Sequence, residues 1–110
     1  MKQELEIKNR VKNILETVKK FSPGKSVELR IPPYAAIQCV SGITHRRGTP
    51  PNVVEMRAET LFKLLENPEQ WQKFCDSGLI SASGASSNLA HLFFEVSKLN
   101  NTEVGSEYGK

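Results

Sequence analysis

The sequence has no long hydrophobic run, two cysteines, two histidines and one tryptophan. Its apolar stretches last only a few residues. No segment could therefore span a bilayer, which takes about twenty. Lys2, Glu4 and Glu6 stand where a secretory leader would be apolar. With no integral membrane segment, the expected location is cytoplasmic. Cys39 and Cys75 are far apart in sequence, and without a secretion signal they are expected to be free, buried thiols. A structural zinc site would have to recruit Cys39, Cys75, His45 and His91 together, so no metal is expected. His45 and His91 have no neighbouring Ser, Cys or Asp in a triad-like context. The Ser83-Gly84-Ala85-Ser86-Ser87 stretch lacks the lysine and spacing of a phosphate loop. Neither an enzyme nor a cofactor is expected. Aromatic residues are 7% of the chain and are not interleaved with basic ones, and the net charge is only +3, so no nucleic-acid partner is expected.

What remains is enough for one domain. The chain has 110 residues, 38% hydrophobic and 25% charged, which suits a soluble globular chain with one modest core. Charge is uneven: residues 1–30 hold eight of the fifteen basic and four of the twelve acidic residues. Glu4 to Phe21 has helical period, with Ile7, Val11, Ile14, Val18 and Phe21 on one stripe, and Ser22-Pro23-Gly24 stops it. Val27, Leu29 and Ile31 alternate with Glu28 and Arg30 as in a half-buried strand. Pro32-Pro33 must interrupt pairing, and Tyr34 to Val40 resumes in extended form. Residues 43–51 read as a loop and Asn52 to Met56 as a third strand. A helix of about ten residues follows Arg57, with Leu61, Phe62, Leu64 and Leu65 as its apolar positions. Asn67-Pro68-Glu69-Gln70 carries the signs of a capping box before a helix burying Trp71, Phe74 and Cys75. Leu79 to Ser83 reads as a strand, and Ser86 or Ser87 as the cap of a last helix carrying Leu89, Leu92 and Phe93. The expected layout is a single domain over residues 1–100, with a helix and turn over 1–24, and a disordered tail over 101–110.

The polar site candidates cluster around the second proline pair. Arg46, Arg47 and Thr49 beside Gly48 could hold a phosphate or carboxylate, with Asn52 and Glu55 close by. The double prolines on either side restrict the segment and lower the entropy cost of ordering it. The plain alternative is a solvated loop in which one arginine pairs with Glu55 or Glu28.

Two proline-bearing motifs carry a resemblance. Arg30-Ile31-Pro32-Pro33-Tyr34 and Arg47-Gly48-Thr49-Pro50-Pro51-Asn52-Val53-Val54-Glu55, with the strand–helix–helix–strand–helix order after them, resemble the sterol carrier protein 2 family. The match is to its compact bacterial branch, found chiefly in actinobacteria. It covers roughly residues 25–95. The resemblance implies an α/β domain of the α+β type: a mostly antiparallel sheet covered on one face by helices. It also implies that Leu61, Leu65, Trp71, Phe74, Leu89, Leu92 and Phe93, which periodicity alone reads as core, could line an apolar ligand pocket. Two departures stand out. Arg57 occupies the region where the branch commonly has a helix-capping Asp. The chain is polar after Leu99, so the long lipid-enclosing C-terminal helix of animal sterol carriers is not evident. The function expected is non-enzymatic binding of an apolar or amphipathic small molecule of the lipid or sterol type. The alternative is an accessory domain with a filled core that docks a protein partner.

Overall fold

A computed structural model of the chain describes the backbone of residues 2–42 and 51–108, and side chains as far as Leu99. The element order is α1 (Lys2–Phe21), β1 (Val27–Ile31), β2 (Ala35–Cys39), β3 (Asn52–Met56), α2 (Ala58–Glu66), a 3-10 turn (Pro68–Gln70), α3 (Trp71–Asp76), β4 (Ile80–Ser83) and α4 (Ala90–Tyr108).

The four strands form one sheet in the order β2-β1-β3-β4. β1 pairs antiparallel with β2 and parallel with β3, and β3 pairs antiparallel with β4. The sheet is therefore mostly antiparallel, with helices packed against it. Period two explains its two faces. Val27, Leu29, Ile31, Val54, Met56 and Ile80 are buried, while Arg30 and Ser81 on the other face are exposed. Val11, Ile14, Leu15 and Val18 of α1 complete the same core with Leu61, Leu64, Trp71, Phe93 and Val96. Each fully buried side chain of this size contributes about 1.5–3 kcal/mol.

The caps depart from the sequence reading at Asn67 and at Ser86–Ser87, while the uncapped start of α2 agrees with Arg57 standing in place of an Asp. Arg57 precedes α2 with extended backbone and no side-chain cap, because an arginine offers no acceptor to the first helical N–H groups. Asn67 makes no cap either; Pro68–Gln70 winds as a 3-10 turn and α3 begins only at Trp71, so the capping box is not formed. The last helix is capped by Asn88, whose Oδ1 accepts from the Ala90 N–H at 2.9 Å, rather than by Ser86 or Ser87. Ser87 Oγ instead donates to the Gly84 carbonyl at 2.8 Å. α3 ends as its Ser77-Gly78 predicts: Gly78 takes φ 85°, its N–H reaches Cys75 O at 3.1 Å and the Leu79 N–H reaches Phe74 O at 2.9 Å. The backbone of α4 runs to Tyr108. Its last residues hold no proline to stop a helix already nucleated on packed turns.

Candidate functional site

The strand directions bring four chain ends to one rim of the sheet. β1 and β3 finish there, at Ile31 and Met56, and β2 and β4 begin there, at Ala35 and Ile80. Pro32 and Pro33 make the turn between β1 and β2 through a cis peptide bond, closed by the Tyr34 N–H to the Ile31 carbonyl at 2.9 Å. The prolines withhold their own N–H groups, so the pairing stops cleanly and Tyr34 is left half-buried beside the turn.

Two grooves share this turn, and a third adjoins the first of them. One of about 360 Å³ is walled by Ile7 of α1, Pro32, Pro33, Tyr34 and Phe62, with Arg57, Ala58 and Glu59 at the start of α2. A second, of about 350 Å³, lies on the other side of the same turn, between Tyr34, Ala36, Arg30 and Glu55. A third, of about 280 Å³, continues along α1 past Gln3, Glu6 and Arg10, sharing Ile7 and Phe62 with the first. The first and third share Ile7 and Phe62 and form an open trough along α1, walled at one end by the proline pair and Tyr34. Its rim is charged. The Arg10 guanidinium lies over the Phe62 ring at 3.9 Å from the centroid. Arg30 is already committed: it donates to Glu28 at 3.1 Å and sits 3.6 Å from Glu55. Its pKa is raised, chiefly by the hydrogen bond to Glu28. Arg57 is exposed and makes no ion pair among the described residues.

The expected site residues go to different places. Leu61, Leu65, Trp71, Leu89, Leu92 and Phe93 are buried together in the core, and Phe74 packs against it half-buried. Trp71 and Phe93 stack with centroids 6.2 Å apart. None of these seven lines the three grooves. Asn52 is 4% exposed and its amide is in use. Nδ2 donates to Ser26 O at 2.9 Å, and Oδ1 accepts from the Ser86 N–H at 2.8 Å. It ties the β4–α4 connection to the start of the sheet, and Gly84 is required there because a Cβ would strike Asn52 Oδ1. Glu55 lines the second groove, 3.6 Å from the Arg30 guanidinium. Arg46, Arg47 and Thr49, with His45, lie outside the described residues. His91 is exposed, 3.9 Å from Glu95 one turn on. Cys39 and Cys75 are free; burial pushes the Cys39 thiol up to about 11 and raises Cys75 as well, with help from Asp76. Among the described residues no group of acidic, His and Cys side chains could hold a metal, and no helix is long and apolar enough to cross a membrane.

Sequence reasoning missed Ile7 and Phe62 as groove residues. Phe62 is grouped with the core leucines by its apolar character, yet the buried face of α2 centres on Thr60, Leu61, Leu64 and Leu65, and position 62 lies about a third of a turn from that centre. That offset was the available signal. The first proline motif was singled out, and it forms the shared wall of both larger grooves.

No curated protein matches the chain. A family model described as bacterial SCP ortholog matches residues 3–94, from the start of α1 to the second turn of α4. The trough and the sheet that shapes it thus lie within the matched region, and the chain belongs to this sterol carrier protein-like family.

Proposed function

We propose that the domain is a non-enzymatic carrier of an apolar or amphipathic small molecule of the lipid or sterol class, and that the ligand lies in the open trough beside Pro32-Pro33-Tyr34. The observation that carries this reading is the apolar lining of Ile7, the proline pair, Tyr34 and Phe62 at the rim where the strands end. A groove of about 360 Å³ is within the size range of small-molecule sites. Arg57 and Arg10 stand where an acidic head would gain charge-assisted hydrogen bonds while the tail covers the aromatic wall. Family membership supports a carrier role.

The packed core favours a second reading. With Leu61, Leu65, Trp71 and Phe93 filling the space beneath the helices, the domain would act as an accessory module that docks a protein partner without a small ligand.

Native mass spectrometry of the purified chain, followed by titration with an environment-sensitive fatty-acid probe, separates the two. The carrier reading expects added mass or saturable micromolar uptake, weakened by Phe62→Ala and Tyr34→Ala in chains that stay folded. Leu65→Trp should cost stability without touching uptake. No uptake by the wild type would leave the accessory reading standing. Uptake lost in folded Leu65→Trp but kept in Phe62→Ala would move the ligand into the helical layer.

A further inference from the structure

β2 is an outer strand of the sheet, and among the described residues no strand pairs with its free side. Exposed edges are usually blunted by a charge, a proline or a bulge within the strand. Ala35–Cys39 has none of these: its residues are Ala, Ala, Ile, Gln and Cys. The charge sits on the helix above instead.

α1 runs along β2. At one end Ile7 shares a groove with Tyr34, the residue before β2. At the other, the Ser22 carbonyl accepts from the Val40 N–H at 2.7 Å. From Ile7 to Ser22 a helix advances about 22 Å, and from Tyr34 to Val40 a strand advances about 20 Å, so the two lie side by side throughout. α1 packs on β2 below and on α4 beside it. Its inner flank is fixed by Gln3, Glu6 and Arg10, which line a groove with Phe62, and by half-buried Thr17. The helical repeat puts Lys8, Lys12 and Lys19 on the opposite flank with Glu4, Leu5 and Glu16, all exposed. This row overlooks the free edge of β2. Its three lysines against Glu4 and Glu16 leave it cationic by one charge.

We infer that the β2 edge and the outer row of α1 form a strand-addition site for an extended acidic peptide segment. The incoming chain pairs its backbone with Ala35–Cys39. Its alternate side chains that face the helices meet Lys8, Lys12 and Lys19, and those on the other face lie beside Ala36 and Gln38. A second copy of this chain is a poor occupant, because pairing β2 with β2 brings two lysine rows together. The trough is not used, so this inference and the carrier reading fail separately.

A labelled peptide of about eight residues alternating Glu and Val is titrated into the full chain by fluorescence anisotropy, with amide NMR to locate it. Saturable binding with shifts and exchange protection at Ala35–Cys39 is expected. The same peptide with Pro at alternate positions keeps its charge but cannot pair, and should bind about tenfold more weakly or less. Lys8→Glu with Lys12→Glu and Lys19→Glu, which leave the core untouched, should weaken the Glu/Val peptide by about tenfold or more and admit a Lys/Val peptide instead. Equal binding of the proline-bearing peptide overturns the inference, since simple ion attraction would then suffice. So does protection at Ile80–Ser83 instead, an absence of binding at millimolar peptide, or a wild-type chain that dimerises through β2.

Discussion

Trp71 and Phe93 stack inside the domain, whereas Tyr34 and Phe62 stand half-buried on the wall of a groove at the end of the sheet. Both pairs are aromatic and both flank helices, yet one is closed and the other open. The closed pair is 3% and 0% exposed and sits among Leu61, Leu64, Leu89 and Val96. The open pair lines a groove beside the Pro32-Pro33 turn. In a 110-residue domain one core takes up most of the large apolar side chains. Tyr34 and Phe62 pack against that core from outside it, and the Phe62 ring carries the Arg10 guanidinium 3.9 Å from its centroid.

The largest effect that would break this contrast belongs to the closed pair. Trp71→Ala should lower stability by about 3–5 kcal/mol in urea denaturation; an unchanged midpoint would make Trp71 peripheral and erase the distinction. Leu65→Trp adds volume to the same closed region and should cost about 1–3 kcal/mol. Phe62→Ala, away from the centre of the buried face of α2, should cost clearly less than Leu65→Trp in the same melt, while weakening the fatty-acid probe. Equal losses of stability would place Phe62 in the core.

The cysteines give the smallest and most graded test. The Cys39 thiol, raised to about 11 by burial, is neutral in the folded state over a wider range than in the unfolded one. Its contribution is therefore fully present below the unfolded thiol value and is lost as pH rises through the folded one. Stability should decline between about pH 8.5 and 11, and Cys39→Ala should flatten that decline. Half-buried Cys75 should be alkylated faster than Cys39 at pH 8. Equal rates would mean that β2 opens as readily as the end of α3.

Much of the fold was legible. Val27–Ile31 and Asn52–Met56 follow from alternation and from the turn residues around them. α1 followed from its stripe, and its end from Ser22-Pro23-Gly24. Capping was less legible, because several residues competed for each end: Asn88 rather than Ser86 or Ser87 caps α4, and Asn67 caps nothing with its side chain. The candidate site was legible only in part. The first proline motif, which carried the resemblance, forms the turn beside the proposed trough, and Asn52, one of the polar candidates, spends its amide on Ser26 and Ser86. Hydrogen bonds spanning 26 and 34 residues leave no mark in local sequence.

By itself the sequence determined the order of helices and strands, the breaks at proline and glycine, the free thiols and the family. These depend on φ restriction, side-chain period and composition, which act within a few residues. Tertiary structure alone decided that β1 lies between β2 and β3, so that Ile7, Tyr34, Phe62 and Arg57 meet at one rim. It also decided that Trp71 and Phe93 close on each other instead of lining a cavity. Those outcomes come from how one limited core shares out its apolar surface among contacts far apart in the chain, and no local pattern encodes that division.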